Sequence, residues 1–130
     1  MSSIKSENLL IKQGHCYLVN MNPPIKSKPG KIRPAVVLQS NDVLNTETIS
    51  ITLVPLTTKL EKENILRCRV SPSAQLKIEK PSDILIDQIH TLHRSFFIKE
   101  LGPLAEIDLL KIKQGLDFLL NFSQTLQLLH

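Results

Sequence analysis

The stretch Lys31-Ile32-Arg33-Pro34-Ala35-Val36-Val37-Leu38 decides how the rest of the chain reads. Ala35 to Leu38 is an unbroken apolar run with two valines, the pattern of a short strand buried on both faces. Pro34 has no backbone N–H, which places it at the first residue of such a strand, and its ring pushes Arg33 toward an extended backbone. Arg33 therefore stands at the mouth of a buried strand beside a stiff neighbour. In front of it, Pro23-Pro24-Ile25-Lys26-Ser27-Lys28-Pro29-Gly30 forms a proline- and glycine-rich loop that adds Lys26 and Lys28 to Lys31. Taken alone, this stretch reads as well as a solvated basic loop as it does a site, because a loop becomes a site candidate only when other features point to it.

Working outward toward the N-terminus, Gly14 opens a strand over Cys16–Met21 that Asn22-Pro23-Pro24 ends, and residues 1–13 read as a polar arm that need not be ordered. Toward the C-terminus, Ser40 to Glu47 is rich in residues whose side chains bond the local backbone and favour turns. Thr48–Val54 then alternates strictly and predicts a half-buried strand, with Pro55 ending its pairing and Leu56-Thr57-Thr58-Lys59 leaving as a polar turn. A charged loop, Leu60–Asn64, precedes an alternating strand at Ile65–Val70. Ser71-Pro72-Ser73 is a turn able to cap one helical turn through Leu76. After a turn at Pro81-Ser82-Asp83 come an apolar strand at Ile84–Ile89 and a last short strand at Ser95–Leu101. From Leu104 the period becomes helical: Leu109, Ile112, Leu116, Leu119 and Leu120 share one face, with Phe118 and Phe122 beside it. Gly115 inside that helix costs up to ~1 kcal/mol relative to Ala. The expected fold is mainly β with a C-terminal helix: a folded unit over 14–122, the arm 1–13 before it, and 123–130 as a helix extension or frayed tail. The helix must bury its stripe on the sheet or on a second subunit, since an isolated helix of this length is marginal.

The bulk properties limit the function classes. With 130 residues, one core without staples is the natural expectation. The net charge of +4 is a modest basic surplus, compatible with an anionic partner but not diagnostic of one. Cys16 and Cys68 are too few and too isolated for a disulfide scaffold or a metal site, and read as reduced, buried thiols of a cytoplasmic protein. The N-terminal residues hold no signal-peptide-like apolar region, and no run approaches the ~20 apolar residues of a membrane helix, so no membrane role is expected.

Several segments, in order, resemble the MazF/PemK/Kid family of toxin–antitoxin ribonucleases. Gly14-His15-Cys16-Tyr17-Leu18-Val19-Asn20-Met21-Asn22-Pro23 is similar to the family's opening strand, and Lys31 to Leu38 to its most telling motif. Val54-Pro55-Leu56-Thr57-Thr58 is similar to the second signature, Ser82 to Leu92 to the third, and Leu101-Gly102-Pro103-Leu104 before a helix to the fourth. Each is weak alone; the joint order, spanning Gly14 to about Leu120, is fairly specific. The resemblance implies a small SH3-like β-barrel of the MazF/PemK/CcdB-like toxin type, usually a homodimer. It implies sequence-selective, metal-independent cleavage of single-stranded RNA with no cofactor, leaving a 2′,3′-cyclic phosphate and a 5′-hydroxyl. It also implies inhibition by a cognate antitoxin, with promoter DNA bound only in complex with that antitoxin. By the same resemblance Arg33 and Thr57 match the catalytic arginine and threonine, while Lys31, Thr58, Lys59 and Gln88 fall where the family lines its RNA groove.

The chemistry fits those residue types. Attack of a 2′-hydroxyl on the adjacent phosphate builds a crowded, extra-negative phosphorane, and a planar, permanently charged guanidinium matches its oxygens. A threonine hydroxyl can hold one of those oxygens. The alternatives are a surface cation for Arg33 and a turn-former bonding its own backbone for Thr57. Some relatives carry an acid in the loop before the Arg-Pro motif; this chain has none between Asn22 and Arg33, and Lys28 lies near that position, where it would attract the RNA backbone. The proton acceptor is thus unassigned, because an arginine is a poor general base at neutral pH. His90 and His93 are three apart, spacing that suits an acid–base pair or two ligands, but no Cys or acidic cluster accompanies them and polar surface histidines are the plainer reading. Tyr17, Phe96, Phe97, Phe118 and Phe122 are too few for an extended base-stacking platform. Two other readings stay open: a catalytically weak homologue that acts by binding antitoxin and promoter DNA, and a gyrase-poisoning toxin on the related fold.

Overall fold

The computed structural model describes residues 9–21 and 31–130. The alternating segments become strands β1 (His15–Asn20), β2 (Ile32–Val37), β3 (Ser50–Thr57), β4 (Arg67–Val70), β5 (Ser82–Leu85), β6 (His90–His93) and β7 (Phe97–Pro103). They form an antiparallel sheet in the order β4-β5-β3-β2-β1-β7, with β6 pairing β3 beside β5. Three helices accompany them among the described residues: α1 (Asn41–Leu44), α2 (Glu106–Leu119) and α3 (Phe122–Leu128). The architecture is the expected sheet with a C-terminal helix, barrel-like rather than closed by strand pairing. The curl is completed by irregular chain: the Lys77 N–H donates to the Leu101 carbonyl at 2.8 Å and ties the β4–β5 connection to β7. Gly102 (φ 120°) sits at that seam, where a Cβ would lie 1.8 Å from the Gln75 carbonyl oxygen, so only glycine fits.

The period of two sorts the central strands onto two cores. Cys16, Val36, Val54 and Leu56 point to one face, where they join Cys68, Ile84, Ile86, Leu101 and Ile112 of α2. Tyr17, Val19, Ala35, Val37, Ile51 and Leu53 point to the other, with Phe97 and Ile11. Tyr17 is fully buried, meets Phe97 edge-on at 5.6 Å, donates its hydroxyl to the Leu10 carbonyl at 2.9 Å and accepts from the Lys12 N–H at 2.8 Å. Those bonds hold residues 9–12 onto the second face. Both aromatic rings are thus core.

Several local expectations change. Pro34 is the third residue of β2 rather than the first, and the β3 pairing begins at Ala35, so the missing donor need not serve two ladders. Pro55 does not end β3. It falls where the neighbour on one edge changes from β6, last paired at Leu53, to β5, first paired at Leu56. A residue without an N–H costs little in that gap. The turn-former stretch after β2 winds into α1, capped by Ser40, whose hydroxyl accepts from the Val43 N–H at 3.3 Å. The apolar strand after Ser82 is shorter than expected, and His90–His93, read as strand end and turn, is a strand of its own. No helical turn forms before Leu76.

Helix α2 explains its own glycine. A Cβ on Gly115 would sit 2.5 Å from the Ile65 carbonyl oxygen and 2.9 Å from Ile86 Cδ1, so the glycine lets the helix axis approach the sheet. Only part of the expected stripe is used: Ile112 and Gly115 are buried and Leu116 half-buried, whereas Leu109, Leu119 and Leu120 stay exposed, as do Phe118 and Phe122. Ile84, Leu85 and Ile86 bury themselves within this chain's own core, so they do not add to the apolar surplus; the helix does.

Candidate active site

The two residues singled out as catalytic lie on neighbouring strands, near the same end of the sheet. Ala35, Val36 and Val37 pair with Pro55, Val54 and Leu53. That pairing ends at Ala35 and Pro55, and Arg33 and Thr57 each lie two residues beyond it on β2 and β3. Both have the parity of Ala35, Val37 and Leu53, so they lie on the same face of the sheet, at the end where that core stops and the side chains become half-buried. On its other side Arg33 pairs with the buried Val19, and Thr57 pairs with Asp83 of β5. Asp83 in turn pairs with Arg69 of β4. Arg69, Asp83 and Thr57 therefore form one transverse row across β4, β5 and β3, and Arg33 with Val19 lies at the same end of the neighbouring pair β2 and β1.

Charge within this row is divided. Asp83 is completely buried, and both of its oxygens accept hydrogen bonds. Its Oδ2 accepts from Arg67 Nε at 2.6 Å and from the Glu61 N–H at 3.0 Å; its Oδ1 accepts from Arg69 Nε at 2.9 Å. Burial alone would push this carboxyl up, but the Arg69 and Arg67 guanidiniums and the Glu61 amide outweigh it and hold it down to about 2. Asp83 is the acid nearest Thr57 in the ladder, yet in that state it does not serve as a base at neutral pH. The same arginines also reach the loop after Thr57: Arg67 donates to the Lys59 carbonyl and Arg69 to the Glu61 carbonyl. The result is a clamp that fixes the main chain over residues 59–61, directly behind Thr57. Arg33, by contrast, forms no ion pair among the described residues.

Thr57 Oγ1 accepts from the Lys59 N–H at 3.2 Å, so the turn-forming reading of this threonine is realised. That bond uses a lone pair and orients the hydroxyl, leaving its O–H to donate outward. Lys31 and Lys59 are both exposed and flank the row, because β2 starts and β3 ends at the same end of the sheet; the Lys31 carbonyl accepts from the Met21 N–H at 2.8 Å. Thr58 is exposed and has the opposite parity, lining a cleft on the other side of the sheet with Ile32 and Pro34. Gln88 is exposed in the turn between β5 and β6, its N–H bonded to the Leu85 carbonyl at 3.1 Å, and no strand pairing brings it into the row. Lys28 lies outside the described residues.

His90 and His93 are exposed on β6, and His93 Nδ1 accepts from the Ser95 N–H at 3.0 Å to cap a 3₁₀ turn, the plain role. Among the described residues no group of three or more His, Cys, Asp or Glu side chains comes together as a metal site. The clamp Asp83–Arg67–Arg69 escaped the sequence reading, which took Ser82-Asp83 for a turn. Its signal was there: two arginines at i and i+2 share one strand face, and an acid begins the most apolar strand.

Comparison with known proteins bears on family and fold. The family described as PemK-like, MazF-like toxin of type II toxin-antitoxin system matches residues 12–120. Endoribonuclease MazF of Staphylococcus epidermidis is 28% identical over 114 residues, covering 88% of this chain and 94% of the relative. The protein named Probable endoribonuclease MazF of Mycolicibacterium smegmatis (strain ATCC 700084 / mc(2)155) is 32% identical over 87 residues, covering 67% and 78%. In structure, a mycobacterial endoribonuclease solved in complex with its cognate antitoxin superposes with a TM-score of 0.68 at 20% identity, over 86% of this chain and 96% of that one, a likeness of fold. From motif order, fold and matched length together, this chain belongs to the PemK-like, MazF-like toxin family of type II toxin–antitoxin systems.

Proposed function

We propose that this chain is the toxin of a type II toxin–antitoxin system, a sequence-selective endoribonuclease that cuts single-stranded RNA by attack of the 2′-hydroxyl on the adjacent phosphate. The supporting observation is that Arg33 and Thr57, on the neighbouring strands β2 and β3, share the parity of one sheet face and are both half-buried at its end. Arg33 takes the non-bridging oxygens of the phosphate and stabilises the charge that grows on them; a preorganised donor of this kind is worth roughly 100-fold or more in rate. Thr57, oriented by the Lys59 amide, donates its hydroxyl to the same phosphate or to the leaving oxygen. The route closes a 2′,3′-cyclic phosphate and releases a 5′-hydroxyl, and needs no metal or cofactor. Lys31 and Lys59, with Lys28 of the preceding loop, attract the RNA backbone, while Thr58 and Gln88 contact nucleotides beside the cut.

Residues 14–122 carry the activity, with 1–13 as an arm and 123–130 as an extension. A cognate antitoxin is the natural inhibitor, and promoter DNA is engaged only through that complex. The uncovered apolar residues of α2 and α3 favour a homodimer, to be checked by light scattering at micromolar concentration. The compartment is the cytoplasm: among the described residues no helix is long and apolar enough to cross a membrane, and both thiols are free and buried.

The test is incubation of the purified protein with mixed-sequence RNA in EDTA, with mapping of the new ends. Cleavage that persists in EDTA, leaves 5′-hydroxyl ends and vanishes in Arg33→Ala supports the reading. Intact RNA alongside normal antitoxin binding refutes it in favour of a binding-only homologue, and trapped gyrase–DNA complexes would refute it in favour of the third reading.

A further inference from the structure

On the opposite side of the same sheet corner lies a cleft of about 360 Å³, within the roughly 300–1,000 Å³ range of ligand sites. Its walls bring together Lys77, Lys80 and Lys99 from two separate parts of the chain. Lys99 comes from β7, opposite Leu18 of β1, and Lys77 is fixed through its own N–H on the Leu101 carbonyl. All three are exposed, and among the described residues none forms an ion pair. One carboxylate, Glu79, shares the rim, leaving the cleft net positive. Its floor is apolar and its edge carries the hydroxyl-bearing Thr58 and Ser82.

The placement relative to the row is what gives the cleft meaning. Pro34 and Thr58 line it, and each is the next residue after Arg33 and Thr57, turned to the other face by the period of two. The cleft and the face that carries Arg33 and Thr57 therefore lie on the two sides of one sheet end, close enough in sequence and register for one extended strand of nucleic acid to touch both. We propose that this cleft is a second anion subsite, in which Lys77, Lys80 and Lys99 hold backbone phosphates of the same single-stranded RNA away from the bond that is cut. The inference rests on the ribonuclease reading. A flexible polyanion with both phosphates and apolar base faces suits three unpaired ammonium groups above an apolar floor. It is also continuous with the row, which a ligand confined to the cleft would not be.

Lysines that neutralise phosphates release counterions, so their contribution is read in salt dependence, about 0.7 in slope per phosphate for single strands. The experiment measures binding of a fluorescein-labelled, fully 2′-O-methylated mixed-sequence RNA, which lacks the attacking hydroxyl, to wild type and to the triple variant Lys77→Gln/Lys80→Gln/Lys99→Gln across a KCl series. Circular dichroism checks that both are folded, and unmodified RNA is assayed for cleavage in parallel. The expected result is a slope of log Kd against log salt lower by about 2 in the triple variant, with affinity reduced about 10-fold or more at the lowest salt. An unchanged slope in a variant whose wild-type parent binds and cleaves RNA overturns the subsite and leaves the ribonuclease reading standing. A wild type that neither binds nor cleaves RNA overturns both. A polyglutamate peptide serves as the competing probe: if the variant loses that peptide while its RNA slope is unchanged, the cleft takes acidic protein segments and the proposal is wrong.

Discussion

Replacing Asp83 with Asn isolates the contribution of the buried clamp. The substitution keeps the size of the side chain but removes the charge and turns an amide NH₂ toward groups that only donate. Breaking one partner out of a buried ion pair costs ~3–5 kcal/mol. Arg67, with its side chain 14% exposed, keeps the Lys59 carbonyl and the exposed Glu61 carboxylate 3.9 Å away, and Arg69 at 34% recovers part of its hydration, so the lower end applies. With an unfolding entropy of about 2.1 cal/mol/K per residue, a loss of about 3 kcal/mol lowers Tm by roughly 10 °C in a chain of this size. The pH dependence is more telling. The Asp83 carboxyl is held down to about 2 from the model-compound 3.8. A depressed acid stabilises the fold above its unfolded pKa, and that stabilisation is lost as pH falls from about 4 toward 2. Thermal melts of wild type and Asp83→Asn by circular dichroism at pH 7, 5 and 3 should therefore show a gap of roughly 10 °C at the first two values and a narrower one at the third. A gap below about 3 °C at pH 7, or one that does not shrink in acid, would refute the reasoning.

Four further outcomes follow from the same structure. Arg33→Lys keeps a charge but loses the planar fork, and should cleave RNA at least about 10-fold more slowly with Tm unchanged. Thr57→Val should lower the single-turnover rate by about 100-fold, and Thr57→Ser should restore most of it. Gly102→Ala places a methyl against the Gln75 carbonyl at a backbone angle that L side chains avoid, and should lower soluble yield and Tm sharply. Burial pushes the Cys16 thiol up to about 12 and the Cys68 thiol to about 11, so iodoacetamide at pH 8 should label neither quickly until denaturant is added, as mass spectrometry would report.

Where the fold was legible in the sequence, one physical signal dominated each element. Alternation marked β1, β3 and β4, and the apolar run after Pro34 marked β2, because a two-sided strand has no polar face to display. The helical period marked α2. The misplacements have physical causes too. Pro55 looked like a terminator because its missing donor matters only against a partner, and the partners change at that residue. The stripe Leu109, Leu119, Leu120 looked like core because periodicity records which residues share a face, not whether anything covers it. In the site, Arg33 and Thr57 were legible through motif order, while their placement at one end of the sheet depended on a register that a single sequence does not fix. The Asp83 clamp and the lysine cleft depend on residues brought together from separate strands and loops, which local pattern does not join.

Strand β3 has a hydrogen-bonding neighbour along both edges: β2 on one, β6 and then β5 on the other. Peeling away the segment that carries Thr57 means dismantling both hydrophobic layers together, so this corner shares the opening free energy of the whole molecule instead of fraying early. Breathing is thus no means of silencing the chain. Any inhibitor meets this corner in its folded shape, because opening it alone is no cheaper than opening the molecule.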